Sequence, residues 1–195
     1  LMSGKGACCA EGLVDAAGIC EQLGIPHHVV DTRDTFQKEI VQRLVDGYQD
    51  GITPLPCSQC NRSVKFGPML DWASRERNLP RIATGHYARI RHGGDRGRHQ
   101  LLRGLDSRKD QSYFLCQLSQ EQLAKALFPI GHLQKSEVRE IAKQAGLVTA
   151  EKKDSQGLCF IGKVRLPDFL QQQLKPKQGN IIQIPEDFLD YQHHQ

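Results

Sequence analysis

Residues 81–87 read Arg81-Ile82-Ala83-Thr84-Gly85-His86-Tyr87. Arg81 to Thr84 reads as a buried strand, and the Gly85-His86 pair ends it sharply. Upstream, helix and strand signals alternate. Residues 10–23 place Ala10, Leu13, Val14, Ala17, Cys20 and Leu23 at helical spacing, stopped by Gly24 and Pro26. The β-branched run His27 to Asp31 reads as a strand. Asp34 then caps a helix striped by Phe36, Ile40, Val41, Leu44, Val45 and Tyr48, with Gly47 and Gly51 helping to end it. Residues 51–59 read as a loop, because Pro54 and Pro56 interrupt any helix. A helix from Asn61 to about Arg77 follows. This βαβα order with short links predicts an α/β fold with a doubly wound parallel sheet. Ligands of such sheets sit beyond the carboxyl ends of the strands, where Thr84-Gly85-His86 falls.

Downstream the pattern changes. Tyr87–Arg91 and Gln100–Arg103 alternate about a glycine-rich turn and predict a hairpin. Lys135 to Ala145 is the clearest helix, with Val138, Ile141, Ala142 and Ala145 on one face, Ser136 and Glu137 in its first turn and Gly146 at its end. Residues 163–195 predict a short helix around Phe169, Leu170 and Leu174, and a strand-like Asn180 to Ile184. Two units follow from this division. Residues 1–162 form a first domain, and 163–195 begin a second, smaller and incomplete one.

The 195 residues carry 26 Lys and Arg against 22 Asp and Glu, a net charge of +4. The basic residues concentrate between Arg89 and Lys109, as suits a surface that follows a phosphate backbone or a solvated hairpin with a charged tip. No apolar run approaches membrane length and no secretory leader pattern opens the sequence, so the expected location is cytoplasmic with no membrane partner. The first and last residues read as cut ends.

Seven cysteines, odd in number and irregularly spaced, point to reactive thiols or metal ligands rather than a disulfide framework. Cys57-Ser58-Gln59-Cys60 lies on the predicted loop at a helix start, where the helix dipole and nearby Arg62 and Lys65 should acidify Cys60. Three readings stay open for this pair: a redox dithiol, half of a zinc or iron–sulfur site, or a nucleophile working with a distant cysteine. Cys159 lies between Gly157 and Gly162, in a segment too broken for a helix, with Lys152 and Lys153 positioned to lower its pKa. Cys8, Cys9, Cys20 and Cys116 fit buried structural roles better. Trp72 and Phe66 read as core residues. The histidines other than His86 carry no ligand signal.

Four phrases in one order resemble the bacterial tRNA-specific 2-thiouridylases over roughly residues 1–162. These are Thr53-Pro54 with Cys60-Asn61 and Lys65-Phe66; Ala83-Thr84-Gly85-His86-Tyr87; Lys109-Asp110-Gln111-Ser112-Tyr113-Phe114-Leu115; and Asp154-Ser155 with Gly157 and Cys159-Phe160-Ile161-Gly162. The resemblance implies a nucleotide-binding domain of the PP-loop, adenine nucleotide alpha hydrolase type. It implies ATP, with Mg, as the activating cosubstrate, tRNA as substrate, and a cysteine desulfurase or sulfur-relay protein as donor. By position it makes Cys159 the persulfide carrier and Cys60 the second, nucleophilic cysteine, joined in a transient disulfide. It makes Gly85 and Met2 ATP contacts, and His86, Lys109, Asp110 and Gln111 tRNA contacts. Three departures accompany it. The family's Ser-Gly-Gly-Val-Asp-Ser-Ser phosphate loop is absent from this sequence. Leu55-Pro56-Cys57 stands where many members have Asn-Pro-Asp, and the family's C-terminal β domains do not follow. The isolated chain is therefore expected to be inactive or nearly so.

Overall fold

Ile82 and Ala83 form β1 (Ile82–Ala83), which pairs in parallel with β4 (Ala126–Leu127) in the computed structural model. The structure describes residues 7–93, 95–152, 157–161, 164–176, 178–183 and 185. The Thr84 N–H extends the pairing by donating to the Leu127 carbonyl at 3.0 Å. Among the described residues this parallel sheet has two strands. A second, antiparallel pair joins β2 (Ala88–Arg91) to β3 (Gln100–Arg103), with Ala88 opposite Arg103 and Arg91 opposite Gln100. This is the expected hairpin.

Among the described residues, five α-helices precede β1. They are α1 (Ala7–Leu23), α2 (Arg33–Phe36), α3 (Arg43–Gln49), α4 (Pro56–Cys60) and α5 (Leu70–Arg77). A wider π-type stretch, Gln37–Gln42, joins α2 to α3, and another, Asn61–Met69, joins α4 to α5. After the hairpin come a 3-10 turn (Ser112–Leu115), α6 (Gln120–Lys125), β4, α7 (Lys135–Gln144) and α8 (Leu166–Gln171). Ser119 and Gln122 close a capping box on α6, and Gln134 and Glu137 close one on α7.

The core follows from which apolar faces these elements turn inward. Phe66, Ala88, Leu115, Leu118, Leu123 and Ala126 are buried together, with Ile82, Ile90, Leu101 and Phe128 packed around them. Phe66 meets Phe128 edge-to-face at 6.2 Å. Gly131 sits so close to β2 that a Cβ there would lie 1.6 Å from the Ala88 carbonyl oxygen. Only glycine lets this chain segment run beneath the strand. Of the stripe read from the sequence, Ile40, Val41, Leu44 and Val45 are buried, while Phe36 and Tyr48 at its ends are half-buried. Gly47 makes room for Pro54, whose Cγ would lie 2.3 Å from a Cβ at that position. The α1 helix is held to the end of α7 by Gln22, whose side chain donates to the Ala145 carbonyl at 2.9 Å.

Several expectations are corrected. His27–Asp31 is not a strand: no partner strand lies beside it among the described residues, and Val29 is exposed. His28 instead lays its ring against Trp72, which is half-buried rather than core, at 5.5 Å. The loop over residues 51–59 ends early, because α4 begins at Pro56. Proline is accepted at the first helical position, and Leu55 before it takes the non-helical backbone that proline demands. Thr32, rather than Asp34, precedes the helix that carries the Ile40 stripe. The helix from Asn61 to Arg77 is broken at Phe66 and Gly67, whose backbone leaves the helical region just before Pro68. The α7 helix is present as expected, but none of its residues is buried and Ile141 is exposed. Asn180–Gln183 forms no strand, and Ile181 and Ile182 face solvent. Ile184 lies outside the described residues. Cys20 is half-buried and Cys116 exposed, so neither is the buried structural cysteine expected.

Candidate functional site

Pro56 starts α4 and sets Cys57 near its start and Cys60 at its end, about one turn apart. Both thiols are half-buried. The intervening Ser58 is buried, and its hydroxyl lies 3.7 Å from the Cys116 thiol. Asn61 is buried too, and its side-chain amide donates to the Phe114 carbonyl at 3.0 Å. Among the described residues its other atom, Oδ1, meets no donor.

The electrostatics correct the expectation of an acidified Cys60. Burial pushes the Cys60 thiol above its ordinary pKa. Lys65 pulls it back, while Cys159 and Cys57 push it further up. Cys57 is likewise raised by burial and lowered by Lys65. Cys60 ends the short α4 rather than opening it, so the dipole that lowers thiols at helix starts is weak at this position. One cation still favours both thiolates. Lys65 lies five residues past Cys60 in the π-type stretch, whose wider turn brings positions five apart into register.

The influence of Cys159 on Cys60 is electrostatic and links two cysteines 99 positions apart in sequence. Cys159 is exposed, on a turn closed by the Ile161 N–H donating to the Leu158 carbonyl at 3.1 Å. The neighbouring Phe160 anchors that turn. Its ring packs edge-on against Phe36 at 5.4 Å and Phe169 at 6.0 Å. Cys20, Cys57, Cys60, Cys116 and Cys159 are all present as thiols. Lys153, Asp154-Ser155 and Gly162, singled out in the sequence, lie outside the described residues, as do Met2 and the side chains of Cys8 and Cys9. Among the described residues, no three or more His, Cys, Asp and Glu side chains gather as a metal would require.

The β1 end supplies a second cluster. Gly85 is exposed just past the strand, and His86 is buried. The His86 Nδ1 lies 2.7 Å from the Thr84 hydroxyl, and its ring stands edge-on to Phe128 at 5.9 Å. Burial first, and Lys65 second, push its pKa down to about 4, so the imidazole is neutral at pH 7. Lys65 thus acts on Cys57, Cys60 and His86 alike.

Lys109, Asp110 and Gln111 run beside this cluster. Gln111 clamps Tyr87, accepting from its N–H at 3.1 Å and donating to its carbonyl at 2.9 Å. The Asp110 carboxylate accepts from Gly104 N–H at 2.9 Å and from the Ser112 N–H and hydroxyl at 3.2 and 3.0 Å. Burial opposes its ionisation, but these bonds and Arg103 hold its pKa below the usual range. Its oxygens therefore serve the loop itself. Lys109 is half-buried, and its N–H donates to the Asp106 carbonyl at 3.0 Å. The sequence did not point to the role of Gln122. Its side chain donates to the carbonyls of Arg62 and Phe66 at 2.9 and 2.8 Å, where the cysteine-bearing helix breaks.

A family model described as tRNA methyl transferase HUP domain matches residues 2–163. The chain belongs to that family. Its relatives carry the sulfur-transfer name expected from the four phrases. A tRNA-specific 2-thiouridylase MnmA of Synechococcus sp. (strain CC9902) is 76% identical over 185 residues, covering 93% of this chain and 47% of the relative. One of the same name from Parasynechococcus marenigrum (strain WH8102) is 74% identical, covering 93% and 46%. A third, from Prochlorococcus marinus (strain MIT 9303), is 61% identical over 194 residues, covering 93% and 47%. The chain spans about half the length of the curated relatives it matches. No described helix is long and apolar enough to cross a membrane.

Proposed function

We propose that this chain carries the sulfur-transfer cysteines of a tRNA 2-thiouridylase, which replaces the C2 oxygen of a wobble uridine by sulfur. The single observation that carries the reading is the electrostatic influence of Cys159 on Cys60, despite the length of chain between them. On this reading residues 1–162 belong to the catalytic domain and 163–195 begin the next. The setting is the cytoplasm, and a cysteine desulfurase or relay protein loads the sulfur.

Exposure suits Cys159 to be loaded by a donor protein, and the half-buried Cys60 suits chemistry sheltered from water. ATP, with Mg, would supply the activation, placing AMP on the uridine C2 oxygen with release of pyrophosphate and so making that oxygen a leaving group. The terminal sulfur of the Cys159 persulfide forms a bond to C2 as that oxygen departs with AMP. The Cys60 thiolate then attacks the inner sulfur of Cys159. The S–S bond to the substrate breaks, leaving 2-thiouridine and a Cys60–Cys159 disulfide. An external thiol reduces the disulfide for the next turnover. Lys65 favours the Cys60 thiolate at that step. His86, neutral and buried, presents a hydrogen-bonding ring rather than a charge.

Gly85 fits a nucleotide, being exposed without a side chain at the carboxyl end of a parallel strand. Residues 1–195 contain no glycine-rich phosphate phrase of the family kind, so the isolated chain is expected to thiolate tRNA poorly or not at all. The test is mercury-gel retardation of tRNA after reaction with ATP and a sulfur donor, using a protein of the full family length carrying these residues. Cys60→Ser and Cys159→Ser should each abolish the retarded band. Undiminished thiolation by Cys159→Ser would refute the assignment.

A further inference from the structure

Away from the cysteines, a cleft of about 790 Å³ opens between residues 106–109 and the α7 helix. Its cations are Arg108, Lys109, Lys135, Arg139 and Lys143. We propose that this cleft binds the sugar-phosphate backbone of the RNA substrate, with Lys135, Arg139 and Lys143 forming its α7 wall. The proposal rests on the tRNA reading above and names where the RNA chain lies.

The pattern on α7 is regular. Lys135, Arg139 and Lys143 stand at positions i, i+4 and i+8, a single stripe running roughly 12 Å along the helix. Like charges four apart repel one another and weaken a helix. A polyanion lying along the stripe would relieve that repulsion. Arg108 and Lys109 face the stripe from the other wall.

The acids in the cleft, Asp106, Glu140 and Glu151, number three against its five cations and leave it net positive. Asp106 is buried, and its carboxylate accepts the backbone N–H groups of Arg108 at 3.1 Å and Lys135 at 3.0 Å. It ties the two walls together at a fixed spacing. Glu140 accepts from the Gln144 side chain at 2.9 Å. The helix start is already closed by the Gln134–Glu137 capping box and by Asp106. Phosphates would thus be held by side chains rather than by helix amides.

The cleft also leads to the site. The Lys135 ammonium lies over the Tyr87 ring, 5.7 Å from its centroid, and Tyr87 follows His86 in sequence. An RNA strand whose backbone follows α7 would reach His86 at the Lys135 end.

The test is tRNA binding to the full chain by fluorescence anisotropy over a salt series. Removing one phosphate-binding cation should reduce the slope of log K against log salt by about 0.7–0.9. The Lys135→Ala/Arg139→Ala/Lys143→Ala variant should lose a slope of about 2 and bind at least ~10-fold more weakly at low salt. Alanine favours the helix, so α7 should persist. The single variants, each expected to lose a slope near 1, keep the test decisive if the triple variant misfolds. Lys38→Ala/Arg75→Ala, on other helices, should change nothing. Unchanged affinity and slope in the α7 variants overturn the cleft and leave the tRNA reading standing. Absence of tRNA binding by the unaltered chain overturns both. Loss of pyrophosphate binding in the variants, with RNA binding intact, assigns the cleft to a small anion and also overturns the proposal.

Discussion

The Gln122 side chain of α6 donates to the Phe66 carbonyl at 2.8 Å, at the point where the helix carrying Cys60 breaks. The break before Pro68 takes carbonyls out of the regular ladder, and Gln122 supplies the donor they lose. The same amide reaches the Arg62 carbonyl, while its oxygen accepts from the Ser119 N–H. One side chain therefore caps α6 and holds it to the kinked segment between Cys60 and the core residue Phe66.

Gln122→Leu removes the donor and the capping partner but keeps the volume. A destabilisation of about 1–3 kcal/mol is expected from the orphaned carbonyls. For a chain of this size that lowers the thermal midpoint by roughly 2–10 °C, measured by calorimetry. Cys60 alkylation should quicken as the helix loosens.

His86 makes stability depend on acid. Its folded pKa is about 4 against 6.5 unfolded, so folding favours the neutral ring. That contribution is complete above pH 6.5 and is lost as the pH falls towards 4, up to roughly 3 kcal/mol. His86→Gln should flatten denaturant midpoints over this window. An equally steep acid loss in the variant would place the titrating group elsewhere.

Lys65 lowers the pKa of both Cys60 and His86. Lys65→Met should therefore raise both. At pH 8, Cys60 alkylation should slow by about 3- to 10-fold, a shift of up to one pKa step. The His86 proton resonances should titrate nearer 6.5. Movement of one group without the other would separate Lys65 from the group that stays put.

Phe160 seats the Cys159 turn between Phe36 and Phe169. Phe160→Ala should leave the Cys159 thiol reactive but no longer held near Cys60. The rate of Cys60–Cys159 disulfide formation under mild oxidation should fall several-fold, while single-thiol alkylation of Cys159 is unchanged or faster.

Much of this was legible because it is local. The Ile40-to-Val45 stripe, the Tyr87–Arg103 hairpin and α7 all follow from short-range periodicity and turn residues. The errors came where a partner decides. His27–Asp31 has strand composition but no strand beside it among the described residues. Pro56 breaks a helix only in its interior, and here it starts one. Gly67-Pro68 does mark the break in the next helix, although the surrounding spacing reads as continuous. Cys60 and Cys159 stood out from their phrases. The pKa values did not, because burial depends on residues far along the chain, such as Phe128 against His86. Gln122 was invisible for the same reason.

The pairing of Cys60 with Cys159 is tested most directly by mass mapping of cysteine peptides without reductant after exposure to a persulfide donor. An added sulfur on Cys159, followed by a Cys60–Cys159 disulfide that disappears in Cys60→Ser and in Cys159→Ser, is the predicted result. An unmodified Cys159, with Cys60 bonded instead to Cys57 or shielded by a bound metal, would contradict it.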